Sequence, residues 1–281
     1  MLDNIWKLFR KNLNSTFYSS LKKNLGREKQ WMTLDTYEKI FNKYSEVIQG
    51  AFKQKKVVEF GCGKQFFTSF FFLNKGAQDV LLIEPAWAID EDFKQILRSQ
   101  HAEYFARYQG LPLNEVEPHI QIVRSAKEII EQFQNQYHYS FSHLVLEHVS
   151  SLDEFYQYQS QLLLPNIGYS WNLVDLSDHT YHVFDKFKFT RPILMNNLLK
   201  HLKYSKAKWA KYNDPKCFMN RFLLPYYKEV VAKYPLDAKF SHLGHYPPIK
   251  IHSDLIQSEL KAEDYFISGF VLELTRPQAN Q

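Results

Sequence analysis

A chain of 281 residues, 45% of them hydrophobic and with a net charge of +5, is a globular protein with room for one large domain or one and a half. Its longest apolar run, Phe66 to Leu73, is interrupted by Thr68 and Ser69 and falls far short of the roughly 18 to 20 residues of a membrane span; the N-terminus shows no secretory leader. The two cysteines, Cys62 and Cys217, argue against a disulfide framework and for a reducing cytoplasm.

Residues 1–25 place Leu2, Ile5, Trp6, Phe9, Leu13, Phe17 and Leu21 at helical spacing with basic residues between them. This basic amphipathic segment is expected to close a cleft as a lid; contact with an anionic membrane surface or another subunit stays open. Residues 1–30 carry seven lysines and arginines against Asp3 and Glu28, so the rest of the chain balances to zero. A second helix is expected from about Leu34 to Phe52.

Val57, Val58 and Phe60 form the apolar run of a buried parallel strand, and Gly61 and Gly63 follow at once where the chain must turn. Phe66 to Asn74 reads as a buried helix, Val80 to Ile83 as a second strand, and Glu84 closes that strand 21 positions after Gly63. The grammar suits a nucleoside: glycines let backbone N–H groups approach it at a helix N-terminus, and an acid at the next strand tip accepts from ribose hydroxyls. A dinucleotide fingerprint wants a third glycine where this chain has Phe66, which argues against NAD.

The string Glu59-Phe60-Gly61-Cys62-Gly63 resembles motif I of the class I S-adenosylmethionine-dependent methyltransferases. The resemblance implies a turn that cradles the amino-acid end of the cofactor, with Glu84 on its ribose. A third strand is expected at Ile120 to Val123, after a helix from Asp90 to Tyr108. Past its end Ser125 and Ala126 would lie near the adenine; Ser125 as an ordinary helix cap is the other reading.

A fourth strand is expected from Tyr139 to Leu146. The run from Ser142 and His143 through Leu146 to Glu147, His148 and Val149 resembles the S-x-x-V-L-E-H-V segment that follows strand four in small-molecule methyltransferases. It implies cofactor contacts at Ser142 and His143 and substrate contacts at Glu147 and His148. The chain departs from the family in having His138 after Tyr137 where an acid is usual. No metal is expected, since His143 and His148 are five residues apart, not a common ligand spacing. A helix from Leu152 to Leu163 leads to Leu164-Pro165-Asn166-Ile167-Gly168, which resembles the family's L-x-P-G-G turn with one glycine replaced.

Strand five, Tyr169 to Val174, delivers Asp175, Asp178 and His179 to the carboxyl edge where open α/β sheets bind ligands. His179 is the candidate base and Asp178 its orienting partner; the pair as a simple cap is the competing reading. Residues 176–235 form a helical, aromatic and basic insertion, acid-free from 186 to 211. Within it Trp209, Tyr212, Asn220, Arg221 and Tyr226 are candidate substrate contacts. Asn220-Arg221-Phe222-Leu223 resembles an N-R-L-R element of methyltransferases linked to surface-glycan synthesis; Arg221 either holds an anionic group or ties the insertion to the core. Leu236 to Leu243 and Tyr265 to Leu274 are the last two strands.

The expectation is an α/β fold: a seven-stranded, mostly parallel Rossmann-like sheet with helices on both faces and an antiparallel last strand. Residues 1–52 would form an N-terminal helical extension and 53–281 the catalytic domain. The resemblance implies S-adenosylmethionine as cofactor and methyl transfer to a small, anionic or saccharide-like acceptor. A nucleic-acid methyltransferase, for which no Asn/Asp-Pro-Pro-Tyr-type motif is found, and a non-catalytic cofactor-binding scaffold stay open as alternatives.

Overall fold

A computed structural model describes residues 33–63, 65–85, 91–177, 200–211, 219–245, 251–255 and 267–278. The basic segment 1–25, the pair Asp178 and His179, Tyr212 and Cys217 lie outside the described residues.

The chain enters through helix α1 (Leu34–Val47), followed by β1 (Lys56–Phe60), α2 (Phe67–Asn74), β2 (Asp79–Ile83), α3 (Glu91–Tyr108) and β3 (Ile120–Val123). Then come β4 (Tyr139–His143), α4 (Leu152–Leu162), β5 (Tyr169–Asp175), the short α5 (Lys206–Ala210), α6 (Leu224–Val231), β6 (Asp237–His245) and β7 (Ile267–Thr275). These strands make one sheet in the order β3-β2-β1-β4-β5-β7-β6. β1 to β5 pair in parallel, whereas β7 runs antiparallel to both β5 and β6. The expected seven strands and reversed last strand are both present.

Side chains alternate across the sheet, so it divides the interior into two apolar layers. Val57, Phe141 and Trp171 join α1, α2 and α3 on one face. Val58, Phe60, Leu81 and Ile83 join α4 and α6 on the other. Helix α2, FTSFFFLN, is buried on all sides but for its last residue, the outcome expected of a helix with no polar stripe. Phe72 at its centre meets Phe52, Tyr44 and Phe141, and Tyr44 stacks on Phe141 at 4.3 Å. Each such buried ring removes apolar area worth about 2–3 kcal/mol from water.

Helix α1 belongs to this same layer through Leu34, Phe41 and Tyr44. It stops at Val47, short of the expected Phe52, because Gln49 and Gly50 adopt left-handed φ of 52° and 71°. In the turn before β5, Asn166 takes the left-handed conformation (φ 70°) where the family turn has glycine, which asparagine tolerates. Gly168 has no such latitude, since a Cβ there would lie 2.5 Å from the Leu164 carbonyl oxygen. A further expected boundary is corrected: β4 ends at His143 and does not reach Leu146. Leu144 turns left-handed (φ 57°) while its N–H still donates to the Leu173 carbonyl, so the apolar run Leu144–Leu146 is a loop at the sheet's carboxyl edge.

Candidate cofactor cleft at the carboxyl edge of the sheet

The turn after β1 is built from two glycines with different reasons to be glycine. Both are left-handed, Gly61 at φ 70° and Gly63 at φ 59°. A Cβ on Gly61 would strike the Val145 side chain at 2.5 Å, so this residue lets the loop after β4 close against the turn. A Cβ on Gly63 would meet nothing within 4 Å. Gly63 therefore faces open ground, and its N–H donates to the Glu84 carboxylate at 2.7 Å. Between the glycines, the buried Cys62 thiol donates to the Gly63 carbonyl at 3.3 Å; burial, with Glu59 and Glu84 nearby, pushes its pKa well up and keeps it un-ionised.

Glu59 shares the Val57 face of β1 and lies beneath the turn, where the Thr68 hydroxyl of α2 donates to it at 2.5 Å. Burial raises its pKa from 4.5 to about 7; the Thr68 bond opposes that rise and the Glu84 charge adds to it. Around these groups opens a cleft of about 180 Å³, lined by Glu59, Gly61, Cys62, His143 and Leu144 from the sheet side and by Thr36, Tyr37 and Ile40 from α1. Burial pulls the His143 pKa down to about 4, so that imidazole is neutral near pH 7.

The structure thus lines one cleft with Glu59, Gly61, Cys62 and His143, and joins Gly63 to Glu84 in the turn that carries Gly61 and Cys62. The remaining proposed contacts sit elsewhere. Ser125 accepts from the Lys127 N–H as the cap of a single helical turn, and Ala126 is sealed in the apolar layer. The Ser142 hydroxyl donates to Asn172 at 2.8 Å within a buried polar row that continues to Ser170.

The loop after β4 is held from the insertion by Asn220. Its N–H donates to the Glu147 carbonyl, and its side-chain amide donates to the carbonyls of Leu146 (2.7 Å) and Val149 (3.0 Å). The Tyr227 hydroxyl adds a bond to Leu146. The Glu147 carboxyl is buried, and neither oxygen has a hydrogen-bond partner. Burial first, then the Asp175 charge, drives its pKa far upward. His148 beside it is half-buried.

Arg221 is buried and left-handed (φ 62°). Its guanidinium donates to the His201 and Tyr204 carbonyls at 3.2 and 2.7 Å and stands over the Trp209 ring at 5.4 Å. Trp209 in turn donates to the Met219 carbonyl. These contacts are those of an arginine and a tryptophan that knit the insertion together.

Sequence reasoning missed Thr68, Leu144 and the α1 residues. Thr68 had a signal, a polar residue in an otherwise phenylalanine-rich helix. Tyr37 had none, because it stands 22 residues before Glu59 and outside the motif.

Strand order, reversed β7 and a glycine turn at the end of β1 define the class I S-adenosylmethionine-dependent methyltransferase fold. No protein-family profile and no curated protein matches the chain. Among solved structures it is similar to a chain of the complex between the Haloferax volcanii Trm112 methyltransferase activator and its methyltransferase. There the identity is 10% and the TM-score 0.49, over 94% of this chain and 97% of that one. An S-adenosylmethionine-dependent methyltransferase of Mesorhizobium loti gives 12% identity and a TM-score of 0.46, over 83% and 96%. A geranyl diphosphate methyltransferase solved with S-adenosylmethionine gives 10% and 0.46, over 94% and 92%.

Proposed function

We propose that this chain binds S-adenosylmethionine in the cleft and transfers its methyl group to a small, anionic or saccharide-like acceptor. The observation that carries the reading is the bond between the Gly63 N–H and Glu84, which joins the glycine turn to the acid at the next strand tip. The residues fit the cofactor: Glu84 is the acid for ribose hydroxyls, Gly63 leaves the ground above the turn clear, and Glu59 presents a carboxyl to the cleft on the side of an amino-acid end. The cofactor, when bound, supplies an electrophilic methyl group on a sulfonium. The protein's task is then to align an acceptor atom and exclude water, so few catalytic groups are needed.

A hydroxyl acceptor calls for a base, and His179 oriented by Asp178 is the proposed one; an amine or thiol acceptor needs alignment alone. The basic block from Lys186 to Lys211 supports an anionic acceptor, and the basic segment 1–25 is proposed as a lid that also reaches anionic surfaces. No described helix is long and apolar enough to cross a membrane, which is compatible with the proposed cytoplasmic location.

Isothermal titration with S-adenosylmethionine and S-adenosylhomocysteine, for the wild type and Glu84→Ala, tests the reading. Micromolar binding that Glu84→Ala weakens tenfold or more supports it and opens an acceptor screen with phosphorylated and nucleotide-linked sugars first. Absence of binding to both compounds overturns it.

A further inference from the structure

Helix α1 precedes the sheet and the motif, yet it forms one wall of the cleft through Thr36, Tyr37 and Ile40, positions i, i+1 and i+4 of one helix face. The wall is fixed in place. Phe41 stacks on Phe71 at 5.0 Å and Tyr44 on Phe141 at 4.3 Å, while the Arg107 guanidinium of α3 binds both Asp35 and Glu38 on the outer side of α1. Tyr37 itself packs against Phe67 at the start of α2, 5.8 Å between ring centroids.

The charge around Tyr37 has one sign. Burial first, then the nearby Glu59, Cys62 and Glu84, push its hydroxyl pKa upward; the Cys62 thiol stays un-ionised, so the carboxyls of Glu59 and Glu84 supply the negative charge beside the ring. His143 opposite is neutral, and none of the described residues lining the cleft is a lysine or arginine. An aromatic ring beside carboxylates, with no competing cation, is a setting in which a positive centre gains both ion–quadrupole and Coulomb attraction and a neutral one gains neither.

Resting on the reading of the cleft as a cofactor site, we infer that Tyr37 is a specificity-determining residue that favours the positively charged sulfonium of the cofactor over the neutral thioether left after methyl transfer. Its ring would thereby also promote release of the spent product.

The test is titration calorimetry of wild type, Tyr37→Leu and Tyr37→Phe with three probes: S-adenosylmethionine, neutral S-adenosylhomocysteine and sinefungin, which carries an amine in place of the sulfonium. Tyr37→Leu is expected to weaken both charged probes fivefold or more and the neutral probe less than twofold; Tyr37→Phe, which keeps the ring, retains the wild-type preference. Equal weakening of all three probes, or none, overturns the inference while leaving the cofactor site standing. Wild-type protein that binds none of the probes overturns both. Should Tyr37→Leu prove unfolded in a thermal melt, loss of the charged-over-neutral preference in Tyr37→Phe is decisive against the ring.

Discussion

The Gly63 N–H and the Glu84 carboxylate meet at 2.7 Å although 21 residues separate them, and so the ends of β1 and β2 are locked at one height. The acid thereby holds the glycine turn from the tip of the neighbouring strand. Glu84→Gln keeps an acceptor for Gly63 but loses the charge; Glu84→Ala loses both. Calorimetry is expected to show Glu84→Ala weaker by at least tenfold, about 1.4 kcal/mol, and Glu84→Gln in between. Equal affinity in all three proteins would remove Glu84 from the site.

The two glycines should fail in different ways. Gly61→Ala drives a Cβ into Val145 and strains a left-handed residue, so it is expected to destabilise by about 2–3 kcal/mol in urea unfolding. Val145→Ala should recover part of that loss in the double variant. Gly63→Ala has open space and carries only the backbone strain, about 1 kcal/mol, but it places a methyl group where the ligand would approach. Its loss is expected in binding, not in unfolding. Two glycine variants with the same profile would refute this division.

Glu59 makes the fold sensitive to pH. Folded, it keeps its proton up to about 7; unfolded, it releases it near 4.5. A carboxyl with a raised folded pKa contributes fully below the unfolded value and loses its contribution as pH climbs through the folded one. Stability should therefore fall between about pH 4.5 and 7, by at most about 3 kcal/mol from this group. Glu59→Gln, which still offers Thr68 an acceptor, should flatten that part of the profile in urea titrations at stepped pH. An unchanged slope would show that Glu59 ionises as an ordinary glutamate.

How much of this was legible before the structure depends on whether the signal was local. β1, β2 and β3 match the reading to within a residue because each is a short apolar run, unbroken in β2 and interrupted once by Glu59 in β1 and by Gln121 in β3. The meeting of Gly63 and Glu84 was legible because a glycine turn and an acid follow the ends of β1 and β2. The end of β4 was not: Leu144 to Leu146 is as apolar as a strand, and only a left-handed residue ends it. Tyr37 was beyond reach for another reason, since a helix meets the cleft through tertiary packing and nothing in its own sequence records that. Ser142 shows the converse, a motif residue whose hydroxyl is spent on Asn172 inside the sheet.

Arg221 offers a test between its two sequence readings. Its donors already engage the His201 and Tyr204 carbonyls, so Arg221→Ala is expected to destabilise by about 3 kcal/mol and to expose helix α5 to protease. Arg221→Lys should rescue little, because an ammonium cannot span both carbonyls and stack on Trp209. If Arg221→Ala melts with the wild type yet loses turnover of an anionic acceptor, the anion-binding reading stands instead.

Glu147 carries a visible electrostatic cost: a carboxyl sealed from water, without a hydrogen-bond partner on either oxygen, close to the Asp175 charge. Its pKa is raised, so its contribution is intact below the ordinary glutamate value of 4.5 and lost as pH rises above it. Glu147→Gln has the same shape and no charge to bury. It is expected to leave stability unchanged near pH 4 and to raise it by about 1–3 kcal/mol at pH 8, read from urea midpoints at both pH values. The same variant separates cost from purpose. Unchanged cofactor affinity with lost methyl transfer would make Glu147 the acceptor-binding group that its motif implies, kept at the expense of stability; unchanged transfer would leave it a buried acid that the fold tolerates because it remains protonated.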